Sequence, residues 1–145
     1  MHTVVARQKG KFSFEIQQEG FSYVVDASPG AGEGKGPTPK GLLLGALAGC
    51  TGMDVVDVLR KMRMSYDSFD IQVRAEVASE DPKVYTSILL IYRLAGKEAE
   101  PDKVARAVRL SQEKYCGVSA MLRASCPIHI EIWVNDREVA YPGAA

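Results

Sequence analysis

The alternation of hydrophobic and polar positions predicts that the chain opens with a small sheet. Apolar and polar residues alternate over residues 12–16 and again over 21–25, and a Glu-Gly pair at 19–20 separates the two runs. Successive side chains of a strand point to opposite faces, so the runs predict two strands joined by a tight turn. Residues 4–6 predict a further strand upstream, which gives a three-stranded β-meander.

A glycine- and proline-rich segment over residues 28–40 predicts a loop. It superficially resembles a phosphate-binding loop, but Gly36 follows the Gly34-Lys35 pair where such a loop has Ser or Thr. The sequence therefore does not support nucleotide binding at this loop.

A long helix is predicted to begin after the loop. Thr38 is a good N-cap and Pro39 suits the first helical position, and the helix is expected to reach Met62 or Arg63. Its first half has almost no polar face, because residues 42–50 are nearly all apolar or glycine. A helix that is hydrophobic all round is typically buried, so burial on all sides is expected for this half.

The second half of the chain predicts a hairpin, two helices and a closing strand. Alternation over residues 69–77 and an apolar run over 84–94 predict the two strands of a β-hairpin. A helix is expected over 101–115, and Gly117 predicts a break followed by a short second helix. Residues 128–134 predict the final strand. The whole pattern predicts an α+β fold in a single domain spanning residues 1–145.

Composition and charge favour a soluble globular protein. The chain has 145 residues, 46% of them hydrophobic and 25% charged, and its 18 Lys and Arg balance its 18 Asp and Glu. This balance indicates neither a nucleic-acid partner nor an anionic membrane partner. The amino-terminal residues lack the apolar core of a signal peptide, and no later run is expected to span a membrane. A cytoplasmic location is therefore predicted.

Three cysteines are the main candidates for chemistry. Cys50 lies in the apolar helix with Gly49 and Gly52 beside it, which leaves room for another group to approach. Cys116 lies at the predicted helix break, where free backbone N–H groups can stabilise a thiolate. Packing explains either cysteine alone. A nucleophilic and a resolving thiol must meet in space, and only tertiary folding can bring these two together.

The remaining cysteine and the two histidines are assigned no chemical role. Cys126 lies directly before Pro127 and is interpreted as structural. No metal site is predicted, because the chain has no Cys-x-x-Cys pair and His2 and His129 lie far apart. His129 is the plausible base for a cysteine hydrolase, but nothing in the sequence places it near a thiol.

Two segments resemble the cysteine motifs of the OsmC/Ohr family. Residues 39–50, PKGLLLGALAGC, resemble its first-cysteine helix, and residues 111–120, SQEKYCGVSA, resemble its second-cysteine segment. The CTGMDVV run that begins at Cys50 and the EKYC run that ends at Cys116 are particularly similar to the OsmC-like branch. This resemblance implies an intertwined, swapped homodimer of α+β subunits, with both active sites at the dimer interface.

The resemblance also implies a thiol-dependent peroxidase that acts in oxidative stress defence. Cys50 would be the peroxidatic thiol that attacks the O–O bond of an organic hydroperoxide. Cys116 would be the resolving thiol that condenses with the resulting sulfenic acid. The implied reductant is a dithiol or a lipoyl protein, and neither a cofactor nor a metal is implied.

A thiolate at Cys50 needs a nearby cation, because burial alone raises the pKa of a thiol. Characterised members of the family supply an Arg from the amino-terminal strands, held by a Glu ten positions before the first cysteine. Lys40 stands at that Glu position here, so Arg7 and Lys40 are the candidate activating residues. Lys40 is expected about 15 Å from Cys50 along the helix. Asp54 is expected to cap or pair elsewhere, because its charge opposes a thiolate.

The missing acidic partner leaves a second hypothesis open. A small-molecule or acyl-binding protein with little peroxidase turnover would keep the same fold and both cysteines. A purely structural dimer would explain the apolar helix, but it would not explain two cysteines in matching motifs.

Overall fold

The computed structural model describes residues 1–143, which divide into two compact units. The first unit spans Met1–Leu44 and the second begins at Gly45, and the helix Pro39–Lys61 starts in the first unit and continues in the second. The single domain predicted from the sequence stays a prediction. In chain order the elements are β1 Val4–Gln8, β2 Phe14–Gln18, β3 Phe21–Val25, α1 Pro39–Lys61, β4 Ser68–Val77, β5 Tyr85–Ala95, α2 Pro101–Leu110, a π-helical turn Ser111–Tyr115, α3 Gly117–Arg123, β6 Ile128–Val134 and β7 Arg137–Val139.

The first unit contains the predicted meander and a loop organised by a carboxylate. β1 pairs with β2 and β2 pairs with β3, both antiparallel. The buried Asp26 carboxylate accepts hydrogen bonds from the backbone N–H groups of Ala27, Glu33 and Lys35 at 2.7 to 3.1 Å. These bonds, the one from Lys35 foremost, lower the pKa of Asp26. The loop is thus built around an anion of the chain itself rather than around a phosphate.

Helix α1 has close to the bounds that the sequence predicts. The Thr38 hydroxyl accepts a hydrogen bond from the Gly41 N–H at 3.2 Å, and Pro39 is the first helical residue. The helix ends at Lys61, whose ammonium group lies 2.6 Å from the Asp57 carboxylate one turn earlier. The capping residues therefore set the start of the helix that carries Cys50.

Only part of α1 is buried within the chain. Leu47, Val55 and Leu59 are fully buried, whereas Leu43 and Met53 are 45% and 75% exposed. By length and composition alone α1 could cross a membrane, although the core helix of a soluble protein passes the same test, and 28% of its most apolar stretch is buried. Within residues 1–143, the chain does not itself supply the burial on all sides that the sequence predicts.

The second unit contains a mixed four-stranded sheet in the order β4-β5-β6-β7. β4 and β5 form the predicted antiparallel hairpin, and β6 lies parallel to β5 with Ile132 opposite Tyr92. Parallel neighbours require a crossover connection, which α2, the π-helical turn and α3 provide. The short strand β7, which the sequence did not predict, follows β6 through Asn135 and Asp136, both at positive φ.

The crossover changes its helical geometry just before Cys116. The sequence predicted one helix over 101–115, but α2 ends at Leu110 and a π-helical turn follows. In this turn the Cys116 N–H donates to the Ser111 carbonyl at 2.8 Å, five residues back. The predicted break is confirmed, since Cys116 has extended backbone angles and α3 begins at Gly117.

Candidate functional site

The structure brings the two predicted cysteines together with a carboxylate. The Cys50 and Cys116 sulfurs and a carboxylate oxygen of Asp54 all lie within 4.8 Å of one another. Cys50 and Asp54 are half-buried and Cys116 is buried. The expectation that Asp54 pairs away from the thiols is therefore wrong, because four residues along a helix place Asp54 on the same face as Cys50.

Helix geometry also fixes the position of Cys116. The residue is the N-cap of α3, and its sulfur accepts a hydrogen bond from the Ser119 N–H at 3.3 Å. This is the free helix-terminal N–H that the sequence predicted near the thiol. The π-helical turn that precedes Cys116 carries Ser111 and Gln112, which are both buried. One short segment therefore supplies a thiol and two polar side chains to the same region.

Burial raises the pKa of the Cys116 thiol. The hydroxyl and the backbone N–H of Ser119 act in the opposite direction, while a hydrogen bond with Cys50 and the charge of its thiolate raise the pKa further. Because Cys116 is only 4% exposed, burial is the largest of these influences. Cys116 therefore tends to keep its proton, and the two thiols interact directly.

A buried hydrogen-bond network adjoins the cysteines. The Thr51 hydroxyl lies 2.7 Å from the Tyr92 hydroxyl and 2.7 Å from the Ser111 hydroxyl. Ser111 donates to the Asp54 carboxylate at 2.9 Å. The Gln112 amide donates to Thr51 at 3.1 Å and to Tyr92 at 2.9 Å. This network joins α1, β5 and the π-helical turn through side chains that the sequence interpretation left without a role.

Arg123 closes the far end of the network. Its guanidinium group donates to the backbone carbonyl of Gln112 at 3.0 Å and to the Gln112 side-chain oxygen at 2.9 Å. Burial raises the pKa of Tyr92, so this tyrosine is a neutral hydroxyl. The signal that could have indicated the network is the presence of polar residues directly beside both cysteine motifs.

The two candidate activating residues lie in the first unit. Arg7 is exposed on β1, and its guanidinium group donates to the Gln17 side chain at 2.5 Å. Lys40 is half-buried in the first turn of α1. Their proposed action on Cys50 stays a prediction.

An apolar groove of about 600 Å³ lies along α1 in the second unit. Gly49 and Gly52, the glycines near Cys50, line it, and their lack of side chains opens the helix surface at this point. Its other lining residues are Ala48, Met53, Val56, Asp57, Arg60, Phe69 and Ile71. The groove has the size and polarity that would accommodate the apolar part of a small organic molecule.

The cluster also has the ligand types of a soft divalent metal. Zinc accepts cysteine sulfurs and carboxylate oxygens, and Cys50, Asp54 and Cys116 offer one such atom each. The sequence predicted no metal site because the chain has no Cys-x-x-Cys pair and its two histidines lie far apart. Two thiols 66 positions apart and one carboxylate could not be recognised as a group before folding.

Comparison with known proteins places the chain among OsmC-like proteins. The profile of the family described as OsmC-like protein matches residues 32–131. Protein YhfA of Escherichia coli K12 is 35% identical over 109 residues, which cover 75% of this chain and 79% of YhfA.

Solved structures agree with this assignment. The crystal structure of a hypothetical protein from Aquifex aeolicus VF5 has a TM-score of 0.83 and 29% identity, covering 93% of this chain and 96% of the other. The organic hydroperoxide resistance protein OhrB of Bacillus subtilis shares the fold, with a TM-score of 0.66, 18% identity and coverage of 91% and 97%. The family match includes both Cys50 and Cys116 and most of the chain, so this protein belongs to the OsmC-like protein family.

Proposed function

We propose that this protein is a thiol-dependent peroxidase that reduces organic hydroperoxides, with Cys50 as the peroxidatic thiol and Cys116 as the resolving thiol. The observation that carries the proposal is the convergence of the two sulfurs within 4.8 Å from separate elements. Structural relatives named as organic hydroperoxide resistance proteins support the same chemistry. The half-buried Cys50 is the more accessible thiol, which favours it as the one that meets the peroxide.

The reaction needs two steps. The Cys50 thiolate attacks the O–O bond, which leaves Cys50 as a sulfenic acid and releases an alkoxide that takes a proton to become the alcohol. The Cys116 thiol then attacks the Cys50 sulfur, and a disulfide forms with loss of water. A dithiol or a lipoyl protein would exchange with this disulfide and restore both thiols.

The apolar groove supports an organic substrate rather than hydrogen peroxide. The exposed apolar residues Met53 and Val56 of α1, which also line the groove, support a homodimer in which a second copy covers this part of the helix and the active sites lie at the interface. Free cysteines in a reactive pair suit a reducing compartment, so a cytoplasmic location is part of the proposal.

Peroxide consumption tests the proposal directly. Cumene hydroperoxide should be consumed in the presence of dihydrolipoamide, and Cys50→Ser should lower the rate to that of the protein-free mixture. Cys126→Ala is the matched control, because Cys126 is buried and is not part of the cysteine cluster. Turnover that survives in Cys50→Ser would rule out the assignment.

A second candidate function is the binding of a small molecule or an acyl group with little turnover. The observations that favour it are the apolar groove and the Asp54 carboxylate beside both thiols, since a negative charge opposes thiolate formation. Mass spectrometry after addition of the hydroperoxide distinguishes the two. Rapid formation of a Cys50–Cys116 disulfide supports the peroxidase, whereas unreacted thiols together with a retained ligand support the binding protein.

A further inference from the structure

We propose that Asp54 accepts the proton of the Cys116 thiol when Cys116 closes the disulfide with Cys50. This inference rests on the proposed thiol chemistry and assigns a catalytic base to its second step. It is carried by the position of Asp54 and by the direction of the hydrogen bonds that reach it.

Asp54 is within reach of the reacting atoms. A carboxylate oxygen of Asp54 lies no more than 4.8 Å from either sulfur, a separation that a small side-chain movement or one water molecule spans. Ser111 fixes the carboxylate from the opposite element through its hydrogen bond to Oδ2. The carboxylate is therefore oriented before any reaction begins.

The orientation of the Gln112 amide determines the rest of the network. An arginine side chain only donates hydrogen bonds, so the group of Gln112 that faces Arg123 is its oxygen. The amide nitrogen then faces Thr51 and Tyr92 and donates one hydrogen to each. Arg123 is thus a positioning residue that fixes which end of the amide points into the site.

The hydrogen bonds between the hydroxyl groups of the network then all run toward the Asp54 carboxylate. An ionised carboxylate only accepts, so the Ser111 hydroxyl donates to Asp54 and must itself accept from Thr51. Thr51 in turn accepts from Tyr92. A chain of three hydroxyls therefore donates toward the Asp54 carboxylate.

Cys116 has a specific need for such a base. Its thiol is buried, burial raises its pKa, and the thiol is a much weaker nucleophile than the thiolate. In the proposed step, the Cys116 proton moves to Asp54 as the S–S bond forms with Cys50. The S–O bond of the Cys50 sulfenic acid breaks, and the leaving hydroxide takes the proton from Asp54 and departs as water.

Reaction with 4,4′-dithiodipyridine isolates this step without a peroxide. In a Cys126→Ala background, Cys50 should release one thiopyridone as it forms a mixed disulfide, and Cys116 should release a second as it closes the protein disulfide. Stopped-flow absorbance resolves the two phases. The thiopyridone anion leaves in place of hydroxide and takes up the proton, so the second phase reports proton removal from Cys116.

The Asp54→Asn variant should distinguish a carboxylate that accepts the Cys116 proton from one that acts only through its negative charge. The second phase is expected to slow by about 100-fold near neutral pH, while the first phase stays unchanged or becomes faster because a negative charge beside Cys50 is removed. The slowed phase should recover as pH rises and Cys116 ionises without help. Asp70→Asn, which changes an exposed carboxylate on β4, is the matched control and should alter neither phase.

The pH dependence of the second phase tests the proposal without any substitution of Asp54. In the Cys126→Ala protein with Asp54 intact, the second-phase rate should stay level as pH rises through neutrality. A free thiol would instead give a tenfold rise per pH unit, and that slope would overturn the proposal. Ser111→Ala keeps the carboxylate but removes its donor, and it should slow the second phase less than Asp54→Asn does.

Three further outcomes would decide between the proposed role of Asp54 and other roles. If Asp54→Asn speeds up both phases, Asp54 acts only through its charge and the proposal is wrong. Stoichiometric zinc in the purified protein that is lost in Asp54→Asn would make Asp54 a metal ligand instead. If both phases behave as expected but no hydroperoxide is consumed, the peroxidase assignment fails while the role of Asp54 stands.

Discussion

Two carboxylates in this chain differ in what surrounds them. Asp26 is almost fully buried, and three backbone N–H groups of its own loop satisfy it. Asp54 is half-buried, accepts one hydroxyl hydrogen bond from Ser111 and lies beside two thiols. A backbone amide does not transfer its proton to a carboxylate in ordinary protein chemistry, whereas a thiol can. Asp26 therefore has a structural role, and Asp54 can take part in proton transfer.

Asp26→Asn is expected to make stability less dependent on pH. The pKa of Asp26 is lowered below its ordinary value of 3.8, with the Lys35 backbone hydrogen bond as the largest cause. A lowered folded-state pKa contributes stability above the unfolded value, and that contribution is lost as pH falls through the folded-state value. The difference in unfolding free energy between wild type and variant should therefore shrink toward acid pH.

Urea unfolding at a series of pH values from neutral to acid measures this difference. Asp70→Asn, at an exposed position on β4, is the matched control for the loss of one carboxylate. A difference for Asp26→Asn that does not shrink toward acid pH, or that changes with pH no more than the Asp70→Asn difference does, would contradict the prediction.

At the scale of elements, the π-helical turn and α3 place the Cys116 thiol. The turn ends the crossover helix one residue before Cys116, and α3 begins one residue after it. The Cys116 side chain is consequently both the proposed resolving group and the cap of α3. Substitutions at this position can change stability and chemistry separately.

The Cys116→Ser variant should have a higher free energy of unfolding than the Cys116→Ala variant. A serine hydroxyl can still accept the Ser119 N–H, whereas alanine leaves this helix end uncapped at a cost of about 1 kcal/mol. Both variants should lack disulfide formation. Urea unfolding under reducing conditions measures the difference.

Cys126 gives the matched comparison for this test. It is also buried but caps no helix, so a serine hydroxyl there lacks the partner that Ser119 provides at position 116. The order should reverse, with Cys126→Ala more stable than Cys126→Ser. The same order at both positions would show that the cap at Cys116 contributes nothing.

At the scale of the whole molecule, the apolar surface of α1 indicates that something covers it. Met53 and Val56 are 75% and 41% exposed, and both line the apolar groove. A monomer seldom leaves so much apolar surface on one helix in water. A second copy of the chain is the proposed cover, as the family resemblance implies.

Val56→Glu should weaken the homodimer, because it places a charge on the proposed interface. Val84→Glu is the matched control, since Val84 is a valine of similar exposure, 53%, in the segment that connects β4 and β5 rather than on α1. Sedimentation velocity at several protein concentrations should show a monomer at concentrations where wild type and Val84→Glu remain dimers. A dimer that is equally stable in all three proteins would contradict the proposed interface.

The sequence by itself determined most of the elements and indicated the two cysteines that the fold brings together. Strands have a period of two and helices a period of 3.6, and caps such as Thr38 act within one turn, so local patterns were sufficient. The motifs around Cys50 and Cys116 indicated the family in the same way. The short strand β7 and the π-helical turn were missed, because neither leaves a clear periodic signal.

Only the tertiary structure decided which side chains surround the thiols. Asp54, Ser111 and Tyr92 come from α1, the crossover and β5, and no local pattern relates them. The parallel pairing of β5 with β6 depends on the crossover and could not be recognised from the strands alone. Distances across the fold determine proton transfer, so the base proposed for Cys116 became visible only when the folded chain placed Asp54 beside it.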